Sequence, residues 1–220
     1  VRNERCTYLQ HFKYNMSLID RIIGAVVPHD CLGCGVEGGL LCSGCANKLP
    51  GVPPLAALNG DLRLIQAVTP YKGLAKDLLW KLKSGGAQAA ATVMARQMRH
   101  LLETDRNLLV MPVPTATSRV RQRGYDQAKL LAHELAKQAR LPYADCLARL
   151  GQSHQVGANR EQRRQQLGEA FWVRHHGLVR RARILLIDDV TTTGATLETA
   201  ARALKAAGAT DIQAIVFAQA

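Results

Sequence analysis

The sequence predicts an α/β protein, a mostly parallel sheet with helices on both faces, preceded by a small cysteine-bearing module. Three observations carry that prediction. Short, almost wholly apolar runs occur at 108–111, 183–187 and 211–218, in the manner of strands buried on both faces. Longer stretches between them place apolar residues three and four apart, the helical interval. Ahead of all of these lie four cysteines in two Cys-x2-Cys pairs.

Taken in order, residues 1–15 mix charge, polarity and aromatic side chains without period. They are expected to be disordered or to precede the true start, because the chain opens on valine and Met16 heads a more domain-like segment. Residues 16–50 form the first unit: a short amphipathic helix over 16–27, then Pro28 and the cysteine segment. The run Pro50-Gly51-Val52-Pro53-Pro54 can continue neither a helix nor a central strand, so the boundary falls there and 51–220 is the second domain.

In that domain a strand is expected over 62–71, then helices over 74–83 and 87–102 joined by the turn Ser84-Gly85-Gly86. The strand at 108–111 stops at Pro112-Val113-Pro114, and a basic loop leads to a helix over 125–138 with Leu130, Leu131 and Leu135 on one side. A polar, glycine-containing stretch covers 151–168. A strand over 183–187, a helix over 194–207 and a last strand over 211–218 complete the alternation that argues a sheet covered on both faces. There is no internal repeat and no low-complexity tract.

With 220 residues and 47% hydrophobic content the chain can bury a sizeable core, which excludes a disordered tail protein, a collagen-like chain and a disulfide miniprotein. Its longest apolar stretches fall short of a membrane span; the one at 18–27 contains Asp20 and Arg21. No secretory signal pattern is present, so a cytoplasmic location is expected. The net charge of +12 is concentrated: residues 117–183 carry fourteen basic and five acidic side chains. Such a block attracts phosphates, of a small metabolite or of a nucleic-acid backbone, or it is a soluble face that happens to be arginine-rich.

Cys31, Cys34, Cys42 and Cys45 have the spacing of a tetrahedral Zn²⁺ site, each pair gripping the ion from one tight turn. Gly33, Gly35 and Gly44 beside them fit turns with unusual backbone angles. Disulfides are the rival reading, disfavoured in a chain without a secretory signal. A redox pair is weaker still, because no βαβ pattern surrounds either motif. A closed four-thiolate site leaves no position for water, so its role is folding or docking. His29 is a conceivable substitute ligand, and Cys6 and Cys146 read as ordinary thiols.

The most informative segment is Ile184-Leu185-Leu186-Ile187-Asp188-Asp189-Val190-Thr191-Thr192-Thr193-Gly194-Ala195-Thr196. A buried strand delivers two carboxylates to its C-terminal end, where ligands bind in open α/β sheets. The turn that follows offers N–H groups, hydroxyls and a helix N-terminus to a phosphate. The carboxylates can accept hydrogen bonds from ribose hydroxyls or hold hydrated Mg²⁺. The bland alternative, a threonine helix cap beside solvated acids, accounts for Thr-Gly but not for the whole combination. Neither GxxxxGK[ST] nor a strand-linked GxGxxG is present.

Residues 184–196 resemble the phosphoribosyl-pyrophosphate (PRPP) motif of type I phosphoribosyltransferases. Together with the cysteine pairs, Tyr71 through Leu82-Lys83, Pro112-Val113-Pro114, the run from Arg121 to Gln127, and Arg163-Arg164 leading to Ala170-Phe171, the chain resembles the ComF family from about residue 18 to its end. That family is phosphoribosyltransferase-like and associated with natural competence. The resemblance implies the type I fold, with Asp188 and Asp189 on the ribose hydroxyls and on Mg²⁺ held through PRPP or water. It implies Thr191, Thr192, Thr193, Gly194, Ala195 and Thr196 around the 5′-phosphate. Pro112-Val113-Pro114-Thr115 matches the pyrophosphate loop, where Val113, Thr115 and Ala116 must donate because proline has no N–H. Lys83, Arg121 and Arg123 are candidates to neutralise pyrophosphate.

Two departures stand out. The usual Tyr/Phe-Asn-Gln is here Tyr125-Asp126-Gln127, which replaces an amide by a charge, and Gln166 stands for an asparagine before Ala170-Phe171. No general base is identifiable; His154 and Glu161 could line the acceptor side but read more simply as solvated loop residues. Two function classes follow. One is a Mg²⁺-dependent phosphoribosyltransferase with an unassigned acceptor. The other is a non-catalytic PRPP or nucleotide sensor that holds single-stranded DNA through its basic block and zinc module, working with competence-machinery proteins. Tyr125, Phe171 and Trp172 are the stacking platforms near that block.

Overall fold

The computed structural model of the protein describes residues 29–55, 60–102, 107–149 and 171–220. The expected helix over 16–27 and the polar stretch 151–168, with His154, Glu161 and Gln166, lie outside the described residues. Those described form, in order, α1 (Ser43–Ala46), β1 (Leu64–Pro70), α2 (Leu74–Lys83), α3 (Ala87–Arg99), β2 (Leu108–Pro112), α4 (Thr117–Arg123) and α5 (Gln127–Ala139). Then come β3 (Leu147–Arg149), β4 (Phe171–Val173), α6 (His176–Val179), β5 (Arg183–Thr191), α7 (Ala195–Ala206) and β6 (Asp211–Gln219).

The main sheet runs β1-β6-β5-β2 with every pairing parallel, as the apolar runs predict. Burial follows position. The central strands β5 and β6 are buried along most of their length, whereas β1, at one edge, alternates buried and partly buried residues. At the other edge β2 is covered by segment 142–144: Val110 N donates to Pro142 O and Ala144 N to Val110 O. That occupies backbone groups an open edge would leave unpaired.

Each sheet face carries its own core. On one side Val110, Leu185, Ile187 and Phe217 pack beneath α2, α3 and α5 through Leu78, Leu82, Met94 and Leu131. On the other, Ile65, Met111, Ile184 and Leu186 meet α7 through Leu197 and Leu204, together with Phe171 and Val173 of the antiparallel pair β3–β4. Leu131 and Leu185 are fully buried, so truncating either to Ala removes about 2–5 kcal/mol. Leu40 and Leu41 of the cysteine module belong to the first core, and Leu32 and Leu49 pack against it. The module is therefore docked on the α2–α3 side by apolar contact.

Besides the unexpected short pieces α1, β3, β4 and α6, three elements near the site differ from expectation. The basic loop contains the helix α4, a seven-residue piece closed by Gly124 N–H bonding to Val120 O; its length and mixed composition carry little periodic signal. The next helix starts at Gln127 rather than 125, because the Asp126 side chain accepts from Ala128 N and Lys129 N and so fixes the N-cap. Finally, β5 continues through Asp188 and Asp189 to Thr191, pairing Asp188 with Val216 and Thr191 with Gln219. Among the described residues no helix is long and apolar enough to cross a membrane.

Candidate functional site

Because all four main strands are parallel, the loops after β1, β2 and β5 gather at one edge of the sheet. Val113 N donates to Ile187 O, which sets the loop after β2 level with the start of the acidic pair. Inside a strand, neighbouring side chains point to opposite faces. Asp189 follows Leu185 and Ile187 onto the α2 side, while Asp188 follows Ile184 and Leu186 onto the α7 side. The two carboxylates, adjacent in sequence, thus serve different surroundings.

Asp189 is buried, and its Oδ2 lies 2.9 Å from Lys83 Nζ at the end of α2. Lys83, expected to neutralise pyrophosphate, here neutralises Asp189. Asp188 Oδ1 accepts from the Asp189 amide at 2.8 Å. Burial pushes the Asp188 carboxyl well above the ordinary carboxylate range, and the charges of Asp189 and, further off, Asp126 push the same way.

The turn after β5 is built for close approach. Gly194 has φ of +83°, in the left-handed region that favours glycine, and a Cβ there would sit 2.9 Å from Ile65 Cδ1, which would have to shift. Its N–H bonds Thr191 Oγ1 at 3.2 Å, and Ala195 N bonds Thr193 Oγ1 at 3.4 Å. Thr192, Thr193, Ala195 and Thr196 are exposed around this turn at the start of α7, while Thr191 is buried.

The loop after β2 differs from expectation. The Val113 amide is engaged by Ile187 O; the Thr115 amide bonds Asp126 Oδ2 at 3.2 Å, and the Thr115 hydroxyl bonds Asp126 Oδ1 at 2.9 Å. Two of the three residues expected to donate to pyrophosphate, Val113 and Thr115, already donate within the protein. On α4, Arg121 is exposed and Arg123 partly buried. The junction of α4 and α5 is tied to α2 by Tyr125, whose hydroxyl donates to Leu82 O at 2.6 Å and whose pKa burial raises. Sequence reasoning missed Asp126 as the holder of this loop; the signal was an acid directly before a helical period, a capping pattern.

Cys31, Cys34, Cys42 and Cys45 converge, their sulfur atoms all within 4.8 Å of one another. They are the group of three or more His, Cys, Asp or Glu placed to share an ion among the described residues; His29 is not in it, nor are the aspartates. The Cys34–Cys42 Sγ distance of 3.7 Å matches the edge of about 3.8 Å in a tetrahedron with Zn–S bonds of about 2.3 Å. Amides of Cys42 and Cys45 donate to the sulfurs of Cys31 and Cys42, as ligand thiolates require. A Cβ on Gly33 would stand 2.7 Å from Cys45 Sγ, so glycine makes room for the sulfur. Chiefly through the Cys42 amide, the Cys31 thiol is lowered to about 6, while hydrogen bonds with Cys42 and Cys34 raise Cys45 to about 12. The four thiols could hold a zinc ion.

A phosphoribosyl transferase domain model matches residues 124–220, the span holding Asp188, Asp189 and the Gly194 turn. Competence protein ComFC of Bacillus subtilis (strain 168) is 30% identical over 65% of this chain and 58% of that protein. Competence protein ComFC of Streptococcus pneumoniae is 28% identical over 67% and 64%, and Competence protein F of Haemophilus influenzae is 35% identical over 47% and 47%. Over the matched span the chain is similar to these competence proteins of the ComF family. It spans less than two thirds of the length of each of these relatives. Its sheet, helices and cysteine module make the chain an α/β protein of the type I phosphoribosyltransferase kind. Parts of two solved structures are also similar. An allosteric regulatory enzyme of purine biosynthesis has 18% identity and a TM-score of 0.41, covering 59% of this chain and 25% of that one. The glutamine PRPP amidotransferase from B. subtilis has 18% identity and a TM-score of 0.43, covering 60% and 28%.

The basic block does not form one surface among the described residues. Arg119, Arg121 and Arg123 lie past the C-terminal end of β2, whereas Arg180 and Arg181 precede β5 and lie toward the opposite sheet edge. Arg183 there pairs with Asp211. Phe171 is core, 1% exposed, and Tyr125 is partly buried, so neither is an open stacking platform. The exposed aromatics among the described residues are Trp80 at 64% and Tyr71 at 37%, with Lys81 5.6 Å from the indole and Lys76 5.3 Å from the phenol ring. A cavity of about 480 Å³ opens between the cysteine module and the end of β1, with Lys48 and Lys72 among its lining residues.

Proposed function

We propose that this protein binds a ligand carrying a ribose 5-phosphate at the C-terminal end of β5, and that it serves DNA uptake in competence as a phosphoribosyltransferase-like protein. PRPP is the ligand the motif implies. The observation that carries the reading is the buried strand whose acids lead into an exposed threonine turn closed by Gly194 in a left-handed conformation. In it, Thr191 to Thr196 receive the 5′-phosphate while Asp188 and Asp189 face the ribose hydroxyls. Mg²⁺ would be held by Asp188 and Asp189 through the ligand or water, and would supply charge neutralisation for a departing pyrophosphate. Calorimetry with Mg²⁺ and PRPP on the wild type, Asp188→Asn and Asp189→Asn tests the site; heat of binding that is absent in the wild type, or unchanged in both variants, refutes it. Release of pyrophosphate against a panel of bases tests transfer separately.

The α2 surface favours a second, compatible reading, single-stranded DNA binding. Stacking on Trp80 and Tyr71 is worth about 1–3 kcal/mol per base, and Lys48, Lys72, Lys76 and Lys81 supply phosphate contacts. This moves the DNA candidate from the 117–183 block to α2 and the cysteine module. Trp80→Ala should weaken oligothymidylate binding and steepen no salt dependence, whereas Lys76→Ala should flatten it; oligonucleotide binding indifferent to both removes the reading.

A further inference from the structure

We propose that the cavity between the cysteine module and the β1–α2 junction is a second ligand site, which takes a small phosphate monoester carrying an apolar or aromatic body. No residue of the turn after β5 lines this cavity, so the proposal stands apart from the ribose 5-phosphate reading. At about 480 Å³ the cavity is of ligand size. Donors meet there without an acid. Thr69 is 1% exposed and lines the cavity, and its hydroxyl has no hydrogen-bond partner among the described residues. Buried polar groups normally find a partner, so a hydroxyl left open on a cavity wall points to a group that arrives from outside. Gly73 and Leu74 line the same wall at the start of α2. The first amides engaged there are those of Ala75 on Lys72 O and Lys76 on Gly73 O, and the amides of Gly73 and Leu74 have no acceptor among the described residues. Gly73 is the N-cap and has no side chain to supply one, so a ten-residue helix opens uncapped onto the cavity.

Charge acts in the same direction. Lys48 and Lys72 line the cavity from its two sides, and neither is in an ion pair among the described residues. No Asp or Glu is in the lining; the acid of the first turn of α2, Asp77, is exposed and lies outside it. Two lysines, two amides and a hydroxyl match a phosphate monoester, which brings about two negative charges and three acceptor oxygens, better than they match a carboxylate or a phosphodiester with one charge. The side chains of Leu49, Pro50 and Leu74 make much of the remaining lining apolar, so the body attached to the phosphate is apolar or aromatic. The site is also made by docking. Cys45 is at once a wall residue and one of the four converging thiols, and Leu49 lines the cavity while packing against the first core. A zinc ion on those thiols would hold one wall in place.

The full chain, loaded with zinc and with ribose 5-phosphate present at saturation to occupy the turn after β5, is titrated by calorimetry with phenyl phosphate. Phenyl phosphate is expected to bind at one site and about fivefold or more tighter than inorganic phosphate, the difference coming from apolar burial. Lys72→Ala should weaken it about tenfold or more, as fits loss of a hydrogen bond between charged groups, and Thr69→Val, which keeps the shape and removes the hydroxyl, about threefold or more. Cys34→Ser, at a thiol outside the lining, should weaken it as the zinc is lost, and thermal melts confirm that the variants are folded. Absence of binding to the wild type, inorganic phosphate binding as tightly, or an affinity unmoved in both Lys72→Ala and Thr69→Val overturns the site. Displacement of phenyl phosphate by oligothymidylate without a terminal phosphate, at comparable affinity, overturns it too, since the surface then serves a strand. An affinity unmoved in Cys34→Ser protein that has lost its zinc overturns the part given to the metal. Ribose 5-phosphate titrated alone reports on the turn after β5, so its failure to bind counts against that reading and leaves this site standing.

Discussion

Lys83 Nζ and Asp189 Oδ2 stand 2.9 Å apart, joining the last turn of α2 to the acidic end of β5 across the first core. The lysine side chain is 29% exposed and the aspartate 11%, so the pair lies between the surface and buried limits. Lys83→Met leaves a buried carboxylate without its counter-ion and is expected to cost about 1–3 kcal/mol. The double variant Lys83→Met/Asp189→Asn should recover part of that loss, because no charge remains uncompensated. Denaturant melts of the four proteins read the coupling; additive losses would refute a direct interaction.

Gly194→Ala tests the turn by two separable effects. The left-handed backbone at φ +83° costs a residue with a Cβ about 1–2 kcal/mol, and the new methyl meets Ile65 Cδ1 at 2.9 Å. Adding Ile65→Val removes the steric part and leaves the backbone part. The expected result is partial recovery of thermal stability in the double variant, with ribose 5-phosphate binding still weakened. Full recovery of both would show that the left-handed turn is dispensable.

The cysteine cluster predicts one zinc per chain by native mass spectrometry. Leu40 and Leu41 belong to the core over α2 and α3, so losing the metal should loosen that side and lower Tm rather than merely fray a tail. Cys34→Ser and Cys42→Ser should lose the ion, and Cys146→Ala, a buried thiol outside the cluster, should keep it. A dication displaces protons from thiols, so retention against a chelator should improve as pH rises. Zinc content unchanged in Cys34→Ser and Cys42→Ser would refute the site.

Most of the fold was legible because its physics is local. Apolar runs at 108–111, 183–187 and 211–218 located the strands, and the two cysteine pairs announced their own convergence. What stayed hidden depends on partners distant in sequence. Asp188 and Asp189 read as a matched pair, yet strand alternation separates their faces and α2 claims Asp189 through Lys83. Val113 and Thr115 looked like free donors because nothing in a sequence shows Ile187 O or the Asp126 carboxylate beside them. The central basic block read as one patch, but those of its arginines that are described divide between the two edges of a parallel sheet. The DNA-facing candidates escaped for the same reason: Trp80 fits a helical period, and only the packing of Leu78, Leu79 and Leu82 turns it outward.

Asp188 makes the pH dependence specific. Burial raises its folded-state pKa above the ordinary value of 3.8, so the folded chain holds this proton more tightly than the unfolded chain. The sign follows: its contribution to stability is best below about 3.8 and declines as pH rises through the folded pKa, because the native state must then carry a desolvated charge. Asp188→Asn removes that charge and should raise Tm at neutral pH while flattening the decline. Ligand binding should move oppositely. Ribose hydroxyls or Mg²⁺ favour the ionised carboxylate, so wild-type affinity should climb with pH through the same window, accompanied by proton release measurable from buffer-dependent binding heats. A destabilised Asp188→Asn with unaltered ligand affinity would place Asp188 in the architecture of β5 and outside the binding site.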